Sequence, residues 1–408
     1  MGMSTTPVGH GTAADVRVLM VVRLFHPWIG GTERQAYKLA AALIDRGVDT
    51  TVVTGRWFRG TARDEVLDGV PVHRNHTLWE FFGIRGLRKF GGYLYIVTLL
   101  WYLWRQREHY DVIHVHGLNY HTFAAVIAGR RLGKPVIAKL ANSGHASDIA
   151  KMREDRQLAL AHRMLPTALT CDRFVALNPA VVSELSAAGV PRERIVALTN
   201  GVDTGHGPRR DHALRDPARI LFVGRLHPQK GLDTLVQALA LLRARLHHPV
   251  VLRLVGEGPA EHELRRLAHR LGVSDLVDFA GRQEDVTPHL DDADVFALPS
   301  RVEGLSNALL EALAAGLPTV VSDIPGNRTV VADGRTGLVV PVDDAAALAS
   351  ALERLLTDDR LRTRLGAAGR LAVEQGYSFD RVAAQYVDLY ASVLAAGGHH
   401  ATVGGTTP

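Results

Sequence analysis

Glu303 and Glu311 are two carboxylates eight residues apart in the stretch 300–323, SRVEGLSNALLEALAAGLPTVVSD. The first lies in a Gly-containing loop, and the second in an apolar run that reads as a helix stopped by Gly316 and Pro318. With Ser306 as the N-cap, Glu303 falls just before the first turn and Glu311 about two turns beyond it. Both could then face one ligand. The N–H groups of a first helical turn carry partial positive charge, so the same end suits a phosphate or a sugar oxygen. Taken alone, two glutamates at this spacing are more often a solvated helix face.

A second piece comes from residues 223–231, VGRLHPQKG, where a strand ends at Gly224 and Lys230 stands before a helix. Arg225 offers a planar guanidinium fork and Lys230 a compact ammonium, a pair suited to gripping a diphosphate. Either residue alone is usually an ordinary surface cation. Three further signals fall in order along the chain: Gly30-Gly31 before a helix, NGVD from Asn200, and VGEGP from Val255.

The elements that must position these groups alternate along 408 residues, a length that favours two domains. Apolar runs at 16–22, 50–54, 112–115, 135–140 and 173–177 read as buried strands separated by helix-length segments. Thr32 and Gln35 form a capping-box pattern for a helix over 32–46. Such alternation predicts a parallel sheet covered on both faces. After a strand and turn at 195–203, the segment TGHGPRRDHALRDPAR reads as a linker. A second alternating series follows, with strands at 220–223, 250–255, 277–280, 295–298, 319–322 and 338–341. The predicted class is α/β, with two doubly wound units at 1–205 and 206–378. An amphipathic final helix follows at 379–396, and the tail 397–408 reads as disordered.

Composition narrows the function. Hydrophobic residues make up 47% and charged residues 22%, as in a soluble globular protein. Cys171 is the only cysteine, which excludes an internal disulfide framework and a cysteine-rich zinc site and suits a reducing cytoplasm. The first 15 residues lack a basic start followed by an apolar core, so no signal peptide is expected. Residues 1–205 hold 25 Lys and Arg against 17 Asp and Glu, so the first half is the basic half. No Lys/Arg stripe with interleaved aromatics appears, which disfavours nucleic acid.

One segment stands apart. Residues 79–104 carry Phe81, Phe82, Arg85, Arg88, Lys89 and Phe90, then the run YLYIVTLLWYLW. That run of about a dozen residues is too short to cross a bilayer. Two readings remain open: a buried core helix with a basic entry loop, or an interfacial helix contacting a membrane or a lipid acceptor.

The ordered set of motifs resembles the retaining nucleotide-sugar glycosyltransferases of family 4 over residues 17–394, nearly the whole chain. The resemblance implies the GT-B fold: two Rossmann-like doubly wound domains facing a cleft, with a C-terminal helix crossing back to the first. It places the nucleotide-diphosphate sugar, UDP- or GDP-linked, mainly on the second domain and a hydroxyl acceptor mainly on the first. Arg225 and Lys230 would hold the diphosphate and neutralise the leaving charge, which makes them catalytic together with Glu303. Glu303 would accept from donor-sugar hydroxyls beside the backbone of Gly304, Leu305 and Ser306, and Glu311 from the ribose. Gly31 would let backbone approach the diphosphate, and backbone at Arg282 would meet the base.

Transfer would proceed with retention, through an oxocarbenium-like state, without a cofactor or metal. Asp292 and Asp294, an Asp-x-Asp pair, then read as structural rather than metal-binding. Many members of the family carry a His after the strand at 135–140, where this chain has KLANSGHAS. Asn142, His145 and His116 are therefore the acceptor-side candidates. An acceptor could be a lipid-linked or polysaccharide intermediate or a small metabolite, with the enzyme cytoplasmic or peripheral at the inner membrane face. Two other functions fit the same donor pocket: a nucleotide-sugar epimerase or sugar-phosphate-producing enzyme, and a non-catalytic nucleotide-sugar-binding protein.

Overall fold

A computed structural model describes residues 16–27, 30–77, 88–140, 147–155, 158–205, 213–246 and 248–398. The chain divides into two units, the first built from residues 1–176, 181–198 and 380–408, the second from 177–180 and 199–379.

The first unit is organised on a sheet of β1 (Arg17–Val22), β2 (Asp49–Gly55), β3 (Asp64–Leu67), β4 (Val70–Asn75), β5 (Val112–His116), β6 (Val136–Leu140), β7 (Arg173–Ala176) and β8 (Ile195–Ala197). Their order is β3-β4-β2-β1-β5-β6-β7-β8. All neighbours are parallel except β3 and β4, an antiparallel hairpin. Its turn is Asp68-Gly69, both at positive φ (41° and 85°), the backbone a tight two-residue hairpin demands. The apolar-run criterion passes over this hairpin, because its strands are short and mixed with charge.

Strand alternation splits the core into two layers. Val18, Met20, Val22, Val112, Ile137 and Val175 face one side. There they meet Ala36, Leu39 and Leu43 of the helix Gly31–Asp45, and Val382, Tyr386, Tyr390 and Val393 of the helix Phe379–Gly398. The last helix of the chain thus completes the first unit, as the family resemblance implies. Leu19, Val21, Ile113, Val115 and Ala138 face the other side, against the helices Arg88–Arg105 and Tyr120–Leu132. The capping box expected at Thr32 does not form. The helix begins one residue earlier, Gly30 is its N-cap with no side-chain bond, and Thr32 lies inside the first turn.

In the second unit β9 (Ala218–Val223), β10 (Val250–Val255), β11 (Val277–Gly281), β12 (Val295–Leu298), β13 (Thr319–Ser322) and β14 (Leu338–Val340) form a wholly parallel sheet. Its order is β11-β10-β9-β12-β13-β14. The chain reverses its direction of winding between β9 and β12, and the region beyond the carboxyl ends of such strands is where ligands collect in folds of this kind. No helix among the described residues is long and apolar enough to cross a membrane.

Candidate active site

Arg225 and Glu303 emerge on either side of that reversal, the first just beyond β9 and the second just beyond β12. The loop after β9 turns through Gly224 (φ 152°) and closes in a short 3-10 turn, Pro228–Lys230. Gly231 then takes φ 62°, and a Cβ there would lie 2.1 Å from the Pro299 carbonyl oxygen. Only glycine permits both the left-handed backbone and that approach. The two loops are also tied directly: the Arg301 N–H donates to Gln229 O (2.7 Å) and its guanidinium to Pro228 O. Arg301 pairs with Asp233 (2.7 Å) and Asp343 (2.8 Å), which raise its pKa and keep it charged.

On this brace sits the central contact. Lys230 Nζ is ion-paired to Glu303 Oε1, and Ser300 Oγ donates to the same oxygen at 2.8 Å. The Lys230 and Glu303 side chains are 22% and 11% exposed, enough shielding for the pair to hold each other in place. Arg225 is exposed and has no ion-pair or hydrogen-bond partner among the described residues. His227 lies close enough to feel both cations: its pKa is lowered first by burial, then by Arg225 and Lys230. An anion reaching this edge therefore meets one unpaired cation, Arg225, beside a second, Lys230, that is paired to Glu303.

Gly304, Leu305 and Ser306 are buried, and Ser306 caps the helix Asn307–Ala314 as the sequence predicts, its Oγ accepting from Leu309 N at 3.4 Å. Glu311, half-buried, is the fifth residue of that helix, just over one turn inside it. Two asparagines fix the loop and cap. Asn178 Nδ2 donates to Gly304 O (2.7 Å), and Asn200 Nδ2 to Asn307 Oδ1 (2.9 Å). Gly326 backs the same loop: a Cβ there would fall 2.5 Å from Gly304 O and 2.6 Å from Glu303 O. Asn178 and Gly326 escape a motif search, because their partners lie 126 and about 20 residues away in sequence.

Arg282 follows the end of β11, two strands out from β9, and reaches to 3.9 Å from Glu257. Asp294 is buried against Arg215 (3.0 Å) and the Arg219 N–H (2.8 Å), and Asp292 pairs with Arg219 and Arg253. The Asp-x-Asp carboxylates are thus occupied by three arginines.

In the first unit, Gly31 is exposed at the first position of its helix. Asn142 and His145 lie outside the described residues. His116 ends β5 beside the other winding reversal, between β1 and β5, and is buried among a set of polar side chains. His114 shares a hydrogen bond with the Tyr390 hydroxyl (2.8 Å), the His114 and His116 rings are 4.6 Å apart, and His121 Nε2 meets His116 O at 3.1 Å. Lys139, paired in register with His116, is 5% exposed with its Nζ 5.7 Å from the Tyr386 ring. Burial lowers the His114 and His121 pKa values to about 3, that of His116 well below normal, and that of Lys139 to about 7. Lys139 was findable, as the one charge in an otherwise apolar strand.

A model of glycosyltransferase family 4 matches residues 29–206, and a model of glycosyl transferases group 1 matches residues 209–372. The chain is 36% identical over 225 residues to the lipopolysaccharide core biosynthesis glycosyltransferase LpsE of Rhizobium meliloti (strain 1021). That match covers 54% of this chain and spans 64% of the relative's length. A phosphatidyl-myo-inositol mannosyltransferase of Mycolicibacterium smegmatis is 30% identical over 379 residues, 90% of this chain and 92% of that one. The crystal structure of Anabaena HepE in complex with UDP gives a TM-score of 0.72 at 18% identity, over 92% of this chain and 100% of that one, a likeness of fold. With two family models meeting at the linker and a relative aligned almost end to end, this chain, with its two Rossmann-like units of the GT-B fold, belongs to glycosyltransferase family 4.

Proposed function

We propose that the protein transfers a sugar from a UDP- or GDP-sugar to a hydroxyl acceptor, with retention at the anomeric carbon and without a metal ion. The observation that carries this reading is the grouping of Arg225, Lys230, Glu303 and Ser300 at the winding reversal of the second sheet, on loops braced by Arg301. A diphosphate between Arg225 and Lys230 would draw the ammonium from Glu303, freeing that carboxylate to accept from sugar hydroxyls. As the bond from anomeric carbon to phosphate oxygen breaks, the two cations stabilise the leaving charge. The acceptor oxygen bonds to the same face, and its proton passes to the departing phosphate. Glu303 and Glu311 act as positioning groups in this scheme, not as an acid/base pair.

The names of the relatives, one a lipopolysaccharide-core enzyme and one a phosphatidylinositol mannosyltransferase, favour a lipid-bearing or envelope-polysaccharide acceptor. A thermal-shift panel of UDP- and GDP-sugars identifies the donor, since a ligand at 100 times its Kd stabilises by about 2.7 kcal/mol. Product analysis with that donor should show free nucleoside diphosphate and a new glycosidic bond of unchanged anomeric configuration, before and after chelation. An epimerised nucleotide sugar, or a sugar phosphate without a glycoside, would overturn transfer in favour of the other enzymes of this fold.

A further inference from the structure

The helix Arg88–Arg105 has two apolar faces, and only one is covered. Tyr95, Leu99 and Leu103 are fully buried, and Ile96 and Tyr102 nearly so, against the first sheet. On the opposite side Val97, Trp101 and Trp104 are 61%, 48% and 57% exposed. Their spacing of four and then three residues makes one continuous stripe along the helix. Trp57, by contrast, is 4% exposed in the core, where large aromatics ordinarily go. The rings are also dressed with cations: the Arg105 guanidinium lies 5.3 Å from the Trp101 ring centre and that of Arg107 5.2 Å from Trp104. Between residues 80 and 108 the sequence holds five Lys and Arg against two glutamates, of which Glu108 pairs with Arg107 at 3.1 Å.

We propose that this stripe, Val97, Trp101 and Trp104 with Arg105 and Arg107, docks the first unit on the surface of an anionic lipid bilayer. Tryptophan settles at the bilayer interface because its ring is apolar and its N–H stays wet. Guanidinium groups beside the rings stand at the depth of the lipid phosphates. A helix lying in the interface needs one apolar face for the lipid, and this one has a second face to hold it to the protein. The charge selects the occupant. A second copy of the chain docked stripe to stripe would bring the same cations together, whereas an anionic surface complements them. The docking does not depend on the acceptor being a lipid.

Flotation of the full-length protein with vesicles tests it, comparing phosphatidylcholine alone with phosphatidylcholine containing phosphatidylglycerol. Binding should rise with phosphatidylglycerol and fall in 0.5 M salt, and tryptophan emission should shift to the blue. Trp101→Ala with Trp104→Ala should lower partitioning by about tenfold or more, and Arg105→Gln or Arg107→Gln by about fivefold each. These side chains are exposed, so melting temperatures should hold and confirm that the variants fold. Equal, negligible binding to both vesicles by the folded wild type overturns the proposal. So does a wild-type dimer that the tryptophan variant dissociates while vesicle binding is unchanged.

Discussion

Lys230 and Glu303 neutralise each other, whereas Arg225 stands alone in solvent, so variants at the two cations separate stability from the proposed transfer. Arg225→Ala should lower kcat/KM by roughly a hundredfold or more, the scale of one lost transition-state charge contact, while leaving the urea midpoint unchanged. Lys230→Ala should cost a similar factor in rate and also move the midpoint, because it strands the Glu303 carboxylate, whose side chain is 11% exposed. Steady-state kinetics and urea unfolding on the same preparations check both. The buried histidines set a pH dependence of their own. His114 and His121 stay neutral in the folded protein down to about 3, and His116 is likewise depressed, but in the unfolded chain all three take up protons below about 6.5. The histidines' share of the stability is therefore intact above that value and falls as pH drops toward 3, by up to about 1.4 kcal/mol per pH unit for each histidine. Lys139, Arg23, Tyr386 and Tyr390 face the same cluster, and the positive charges of Lys139 and Arg23 act in the same direction. Urea titrations at pH 7.5 and 5.5 should show the loss, and His114→Gln should make it shallower.

At the scale of elements, the helix Asn307–Ala314 and the loop before it are held from three sides, by the Ser306 cap, by Asn178 and Asn200, and by the backbone at Gly326. Removing the cap with Ser306→Ala should cost about 1 kcal/mol of stability. Gly326→Ala is the sharper probe. Its Cβ would meet two carbonyl oxygens of the Glu303-Gly304 loop, so the loop must shift and carry Glu303 away from Lys230. A loss of about 1–3 kcal/mol in urea unfolding is expected, with a fall in kcat/KM larger than that of the cap variant. Equal kinetic losses in the two variants would show that the loop position does not matter.

Across the whole molecule, the last helix belongs by packing to the first unit, although the second unit lies between them in sequence. A chain ended after Phe379 would lose Val382, Tyr386, Leu389, Tyr390 and Val393 from that core. At about 1.5–3 kcal/mol for each large buried side chain, the loss rivals the 5–15 kcal/mol that stabilises a typical domain. Limited proteolysis of this truncation should cut throughout residues 16–198 while sparing the second unit. The architecture and the loops after β9 and β12 were legible in sequence because their signals are local: β1, β6, β9, β10, β12 and β13 are nearly unbroken apolar runs, and Arg225, Lys230 and Glu303 each lie within a few residues of a strand end. Other features were decided only by the fold. The pairing of Lys230 with Glu303 joins residues 73 apart, and that of His114 with Tyr390 residues 276 apart, so no window of sequence contains them. The helix Arg88–Arg105 shows the same division at its plainest. Composition established that it is apolar and flanked by charge, but which of its residues meet the sheet and which meet solvent depends on rotation about its own axis, fixed by the packing of Tyr95, Leu99 and Leu103 against strands made elsewhere in the chain.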